Sequence, residues 1–207
     1  MEAKLKSKKE VEILLEQLES IPNPKPELEQ HTTPADLAAA LVNWAWLMGD
    51  IEGKKIADLG CGNGILALAS LLYGGREAVG IDIDTLAVIT AWINAGLLGL
   101  RDKVRFYVGD VEEFRERADT VVQNPPFGVV WRHADLKFLK KSLTVAEVVY
   151  SIHMAGNAVF LGDFASKLGA SLTHVERWPF PLKRVFPYHR RRVVMIPVEI
   201  LRFEVRK

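Results

Sequence analysis

Ile56-Ala57-Asp58-Leu59-Gly60-Cys61-Gly62-Asn63-Gly64-Ile65 decides how this chain folds. Ile56–Leu59 is a short apolar run that reads as a buried strand, the glycines end it, and Ile65–Leu72 continues in a helical pattern. The same alternation repeats downstream. Ala78–Ile81 reads as a second strand with a helix over Thr85–Leu98, Val104–Val108 as a third, and Thr120–Val122 as a fourth ending at Gln123-Asn124-Pro125-Pro126. A fifth strand is expected over Val145–Ile152, with a helix from about Ala155 to Leu168. Strands alternating with helices imply βαβ units, hence an α/β fold with a parallel sheet covered on both faces. Ser171–Trp178 and Val193–Val205 are extended patterns with no helix between them, which predicts an antiparallel pair closing the sheet.

Upstream of the glycine turn the texture is helical. Val11, Leu14, Leu15 and Leu18 share one face, and the prolines 22, 24 and 26 end that helix. Thr33-Pro34-Ala35-Asp36 reads as a second start, with a hydroxyl N-cap, proline at N1 and an acid at N3, and the helix runs through Leu37, Leu41, Trp44 and Leu47. With 207 residues and no repeats, one domain is expected: a helical extension over 1–49 and a core over 50–207.

Composition narrows the class. Hydrophobic residues make up 49% and charged residues 26%, which fits neither a disordered chain nor a membrane protein. The single cysteine, Cys61, excludes an internal disulfide and a Cys-based zinc site, and no metal site is expected. The basic start is interrupted by Glu12, Glu16 and Glu19, so a cytoplasmic protein without a targeting segment is expected. Net charge is only +1, yet residues 181–207 hold 8 basic and 2 acidic side chains while the rest of the chain is net acidic. The basic residues cluster in Lys183, Arg184, Arg190, Arg191 and Arg192, interleaved with Phe186 and Tyr188. That pattern suits phosphate contact with base stacking, making Lys183, Arg184, Tyr188 and Arg190–Arg192 candidate RNA contacts. A solvated charged loop is the plain alternative. Lys137, Lys140 and Lys141 form a weaker cluster that could track the same strand.

The glycine turn lies where ligands bind in open α/β sheets, at the carboxyl ends of the strands. A dinucleotide fingerprint would need a small residue where Ile65 stands. Asp58 followed by Gly60, Gly62 and Gly64 suits instead a ligand with an amino-acid end and no pyrophosphate. Asp82 closes the second strand, where it can accept from ribose hydroxyls. Asp110 closes the third, where it can accept from an adenine amino group. Simple helix capping by Asp82, Asp84 and Asp110 is the alternative for any one of them. Cys61 reads as a small turn residue.

Asn124-Pro125-Pro126-Phe127 follows the fourth strand and faces the same crevice. An amino group on a flat ring shares its lone pair with the ring and is a poor nucleophile. The Asn124 side-chain oxygen and the Pro125 carbonyl can each accept one of its hydrogens, Pro126 fixes the turn, and Phe127 can stack on the ring. Methyl transfer from a sulfonium then needs alignment more than a strong base.

Asp58–Gly64 with Asp82 and Asp110 resembles the class I S-adenosylmethionine-dependent methyltransferases, and Asn124–Phe127 their amino-group branch. Leu28-Glu29-Gln30 with Thr33, Gly80-Ile81-Asp82-Ile83-Asp84, Val149-Tyr150-Ser151-Ile152-His153 and Arg202-Phe203 extend the resemblance to the small-subunit rRNA adenine-N6 methyltransferases and their archaeal-type relatives. The resemblance implies a Rossmann-like, seven-stranded, mostly parallel sheet whose last strand is antiparallel. It implies S-adenosylmethionine as cofactor, with Gln30 and Thr33 near its methionine part together with Gly60, Asn63 and Ile65. Asp82 would hold the ribose, Asp110 and Val111 the adenine, and Asn124–Phe127 the target base. His31 departs from the tyrosine of several relatives. RNA is the implied partner, and eukaryotic relatives also work with a small zinc-binding activator subunit at the sheet edge. A guanine-N2 RNA methyltransferase, a protein-glutamine methyltransferase and a non-catalytic RNA-binding assembly factor stay open at this point.

Overall fold

The computed structural model describes residues 7–128, 130, 134–183 and 193–206. Its centre is β1 (Lys55–Leu59), buried from its second residue on, as a strand flanked by sheet on both sides must be. Ile56 faces one core layer, and Ala57 and Leu59 face the other. Around it lie β2 (Glu77–Asp82), β3 (Val104–Val108), β4 (Thr120–Gln123), β5 (Val148–Met154), β6 (Ala170–Lys183) and β7 (Val193–Val205). The seven strands run in the order β3-β2-β1-β4-β5-β7-β6. All pairs from β3 to β5 are parallel, and β7 is antiparallel to both β5 and β6. The closing antiparallel pair and the seven-stranded sheet match the sequence reading.

One face is covered by α1 (Lys8–Leu15), α2 (Ala35–Leu47), α3 (Ile65–Leu72) and α4 (Thr85–Leu97). The other is covered by α5 (Ala134–Val145) and α6 (Ala158–Lys167). Helix α1 begins with a capping box in which Ser7 and Glu10 satisfy each other's backbone N–H groups. None of the described helices is long and apolar enough to cross a membrane.

Several expectations are corrected. Helix α1 ends at Leu15, with Glu16 as its C-cap, before Leu18 and before the prolines expected to end it. Helix α5 is absent from the sequence reading, because three lysines and an aspartate dilute the apolar face that Leu139, Leu143 and Val145 bury. Val145 therefore closes a helix, and β5 starts at Val148. Helix α6 starts three residues later than expected, after Asn157. Thr33 does not cap α2: Pro34 stands at the N-cap, no side chain caps the helix, and the Thr33 hydroxyl is bonded elsewhere.

The β6–β7 hairpin runs five residue pairs past the end of β5, from Pro179↔Pro197 to Lys183↔Val193. Prolines are tolerated there because β6 is an edge strand and Pro197 lies beyond the last β5 pair. This arm leads into segment 184–192. Arg184, Tyr188, Arg190, Arg191 and Arg192 lie outside the described residues, as does the side chain of Lys183. Arg202, another of the late basic residues, is buried in the core, where its guanidinium meets Asp50 at 2.9 Å and Glu204 at 2.6 Å.

Candidate active site

A cavity of about 450 Å³ opens at the carboxyl ends of β1, β2, β3 and β4. Its floor is the glycine turn. Gly60 and Cys61 donate to Ile81 O at 2.8 and 3.0 Å, and Gly62 donates to Asp82 Oδ2 at 2.8 Å. Gly60 has φ 72°, and a Cβ there would meet Phe138 at 2.9 Å, so no other residue fits this approach. Gly64, expected in the cradle, does not line the cavity. It stands at φ 83° where the chain enters α3, and a Cβ would strike Phe106 and Ala91, so it is a packing glycine. Cys61 is buried, and burial pushes its thiol well above the ordinary range, in keeping with a turn residue.

Two carboxylates face this floor. Asp58 accepts from Ala67 N at 3.0 Å and is 1% exposed, and burial pushes its carboxyl up to about 7. Asp82 accepts from Gly62 and from Asp84 N at 2.9 Å, yet burial still holds it above its usual value. Asp82 caps no helix, whereas Asp84 caps α4 through Leu86 N and Asp110 caps the turn 111–113 through Glu112 N. Burial pushes Asp110 up, but Lys137 Nζ at 2.8 Å and the Glu112 N–H outweigh it and set it below the usual carboxylate range. Asp110 and Val111 line the cavity, as does Lys137. Lys141 donates to Glu112 O and Phe114 O, so two lysines of the expected basic cluster have intramolecular partners.

A strap between α1 and α2 forms the roof. Gln30 lines the cavity while its amide donates to Asp84 Oδ2 and accepts from Lys25 N. Lys25 adds an ion pair to Asp84 at 2.8 Å. Asn63 and Ile65 also line the cavity, and the Asn63 amide holds Glu19 O at 3.0 Å, tying the end of the α1 segment to the turn.

The far wall is Asn124–Phe127. Asn124 Nδ2 donates to Thr33 Oγ1 at 3.0 Å and approaches His31 O at 3.5 Å. A backbone carbonyl only accepts, which fixes the amide orientation. Asn124 Oδ1 is left buried with no partner among the described residues. Phe127 stacks near-parallel on His31, with centroids 6.1 Å apart, and meets the edge of Phe180 at 5.4 Å. Burial pushes the His31 imidazole below its ordinary value, with Glu29 opposing.

Two further residues were given no site role by the sequence, although Glu29 stands in the Leu28–Gln30 run of the resemblance. Glu29 sits in the left-handed region at φ 50°, is 6% exposed, and accepts from Val130 N at 2.6 Å, pinning the loop that follows Phe127. Phe180 arrives from the hairpin arm, 53 residues away in sequence from Phe127. Both depend on long-range packing.

The donor set fits S-adenosylmethionine. Asn124, whose side-chain oxygen has no partner among the described residues, lines a cavity whose glycine floor admits close backbone approach and whose two buried carboxylates suit a cationic ligand. Fold and cradle together define a class I S-adenosylmethionine-dependent methyltransferase. The family model described as ribosomal protein L11 methyltransferase matches residues 40–132, the cradle and its flanks. The rRNA N(6)-adenosine-methyltransferase Mettl5 of Drosophila melanogaster is 33% identical over 98% of this chain and 98% of its own. An uncharacterized protein of Methanocaldococcus jannaschii is 36% identical over 95% of this chain and 94% of its own. A crystal structure of a candidate RNA methyltransferase from Pyrococcus horikoshii superposes with a TM-score of 0.91 at 40% identity, over 97% of this chain and 98% of the other. The chain belongs to the Mettl5 family of methyltransferases.

Proposed function

We propose that the protein methylates N6 of an adenosine in small-subunit ribosomal RNA, the base being flipped out or single-stranded. The observation that carries this is Asn124 Oδ1, buried, oriented and without a partner. When bound, S-adenosylmethionine supplies an electrophilic sulfonium methyl. Asn124 Oδ1 and the Pro125 carbonyl would each accept a hydrogen bond from one amino N–H, which would leave the nitrogen lone pair turned toward that methyl. Phe127, braced by His31 and Phe180, offers the stacking face. The amino proton leaves to water afterwards. A protein-glutamine substrate fits less well, because α1 and α2 pack into the same core as the sheet, so neither of these described helices forms a separate substrate module. The same packing supports one working domain with 1–49 as an extension of the 50–207 core. The unpaired, buried Cys61 suits a reducing compartment, and we place the protein in the cytoplasm.

Lys183 and segment 184–192 are the proposed RNA grip, carried on an arm whose Phe180 touches Phe127. The test incubates the protein with labelled S-adenosylmethionine and total RNA, then identifies the labelled nucleoside by mass spectrometry. N6-methyladenosine is expected, and label in N2-methylguanosine or only in protein overturns the substrate. A second arm repeats the assay with Arg190, Arg191 and Arg192 neutralised. Each lost phosphate contact flattens the slope of log affinity against log salt by about 0.7 for single-stranded RNA, and an unchanged slope returns the loop to a solvated surface.

The proposed protein partner is a small zinc-binding activator at the β3 edge. Strand β3 has one neighbour, β2, among the described residues, and Tyr107 and Val108 are exposed on it. Beside it α4 exposes Leu86, Ile89, Ile93 and Leu97, a helical stripe of apolar side chains. Ile89→Lys with Ile93→Lys is expected to abolish co-purification with such a subunit, and undiminished recovery of the pair would place the contact elsewhere.

A further inference from the structure

Beneath the catalytic tetrapeptide lies a buried polar chain that the proposed chemistry does not use. Gln123, the last residue of β4 and the neighbour of Asn124, is fully buried, and its Nε2 donates to Ser151 Oγ at 3.0 Å. The sheet register sets these two residues side by side on adjacent parallel strands. Ser151 and His153 are two apart on β5, so they share a face, and Ser151 Oγ lies 2.7 Å from His153 Nε2. On the other side of the ring, His153 Nδ1 lies 3.4 Å from Asp135 Oδ2. Asp135 belongs to the first turn of α5, the helix into which the catalytic loop runs.

We propose that Gln123, Ser151, His153 and Asp135 form a positioning relay that holds both ends of the loop from Asn124 to Ala134 against β5. The donors run in one direction. The relay assigns Ser151 Oγ as acceptor from Gln123, whose Oε1 has no partner among the described residues, and sends the Ser151 hydroxyl hydrogen to a bare His153 Nε2. The ring hydrogen therefore sits on Nδ1, facing the Asp135 carboxylate. Burying Ser151 at 0% and His153 at 2% exposure in an otherwise apolar layer is costly unless each polar atom is matched, and apolar residues would fill the same volume at less cost. What the polar set adds is direction: it couples the strand end that aims Asn124 to the helix start that returns the loop. Glu29 pins the middle of the same loop through Val130 N, so the catalytic residues sit on a segment held at three points. None of the four relay residues needs to touch substrate; they act through Asn124.

Resting on the acceptor role of Asn124, the relay is tested beside the Asn124→Ala variant. Asp135→Ala is expected to lower kcat on ribosomal RNA about tenfold, since small misplacements of reacting groups cost rate rather than affinity. Cofactor affinity by calorimetry and KM for RNA should stay near wild type, while melting temperature falls modestly because the buried His153 Nδ1–H loses its partner. Asp135→Asn, which keeps an acceptor for Nδ1–H, should recover most of the rate, and Ser151→Ala should repeat the Asp135→Ala loss. The long-range nitrogen–proton spectrum of the unmodified protein should show His153 protonated on Nδ1 and bare on Nε2. A hydrogen on Nε2, no rescue by Asn, or a parallel fall of kcat and cofactor affinity overturns the relay. Wild-type turnover in Asp135→Ala with turnover lost in Asn124→Ala overturns the relay alone, whereas unchanged turnover in Asn124→Ala overturns the site reading beneath it.

Discussion

Replacing Asn124 with alanine is expected to lower the single-turnover rate of methyl transfer by a factor on the order of 10²–10³, the range seen when one preorganised polar group is removed from a reaction centre. Cofactor affinity should change little. The side chain does not brace the glycine floor; its amide is held by Thr33 Oγ1 and the His31 carbonyl, and its oxygen is the part left over. An alanine here frees two acceptors on the roof and deletes the one that aims the substrate amino group. Asn124→Asp is an informative companion. It retains acceptor oxygens but loses the N–H that Thr33 and His31 receive, so it should recover little of the rate although its shape is the same. Measuring one turnover with labelled cofactor and ribosomal RNA, next to cofactor titration by calorimetry, separates the two effects. A rate within about twofold of wild type would remove Asn124 from the mechanism.

The elements around the cradle were legible because each is a continuous apolar run with its own punctuation. Strand β3 and helix α3 occur with the expected bounds, β1, β4 and α4 differ by a residue at one end, and β2 by a residue at each end. Helix α5 was not legible, because its buried stripe is only Leu139, Ser142, Leu143 and Val145 among lysines, and a polar helix gains its stability from the sheet it covers. Thr33 shows a local rule losing to a distant partner: it stands one residue before the N-cap, Pro34, and its hydroxyl accepts from a side chain 91 residues away. Asp110 combines both of its readings, capping a turn and lining the cavity, and its pairing with Lys137 depends on how α5 docks. Gly64 follows the glycine pattern but answers to Phe106 and Ala91. Ser151 and His153 stand in a run that carries the family resemblance, but nothing in that run points to Gln123, which strand register sets beside Ser151, or to Asp135, which the docking of α5 brings to His153.

Asp82→Ala is expected to weaken S-adenosylmethionine binding about 100-fold and to leave kcat near wild type at saturating cofactor. A carboxylate offers about four acceptor positions, and at Asp82 two are taken by the N–H groups of Gly62 and Asp84. The remaining two suit a pair of neighbouring ribose hydroxyls. Hydrogen bonds to a charged acceptor are worth roughly 1.5 kcal/mol each at the low end, so losing two costs about 3 kcal/mol, or a hundredfold in affinity. Melting temperature without cofactor should fall as well, because Gly62 N–H loses its acceptor and the turn loosens. The electrostatics add a pH signature. Burial raises Asp58 to about 7, so it is partly protonated on the acid side of neutrality, and burial raises Asp82 from its ordinary value as well. The cofactor carries a sulfonium and an ammonium, which favour the ionised carboxylates and lower their pKa on binding. Affinity should therefore climb as pH rises toward about 7, level off above it, and be accompanied by proton release in the climbing range. Calorimetry in buffers of different ionisation enthalpy reads both quantities. An affinity in Asp82→Ala equal to that of the unmodified protein would leave Asp82 as a brace of the glycine turn, with the ribose held by other groups.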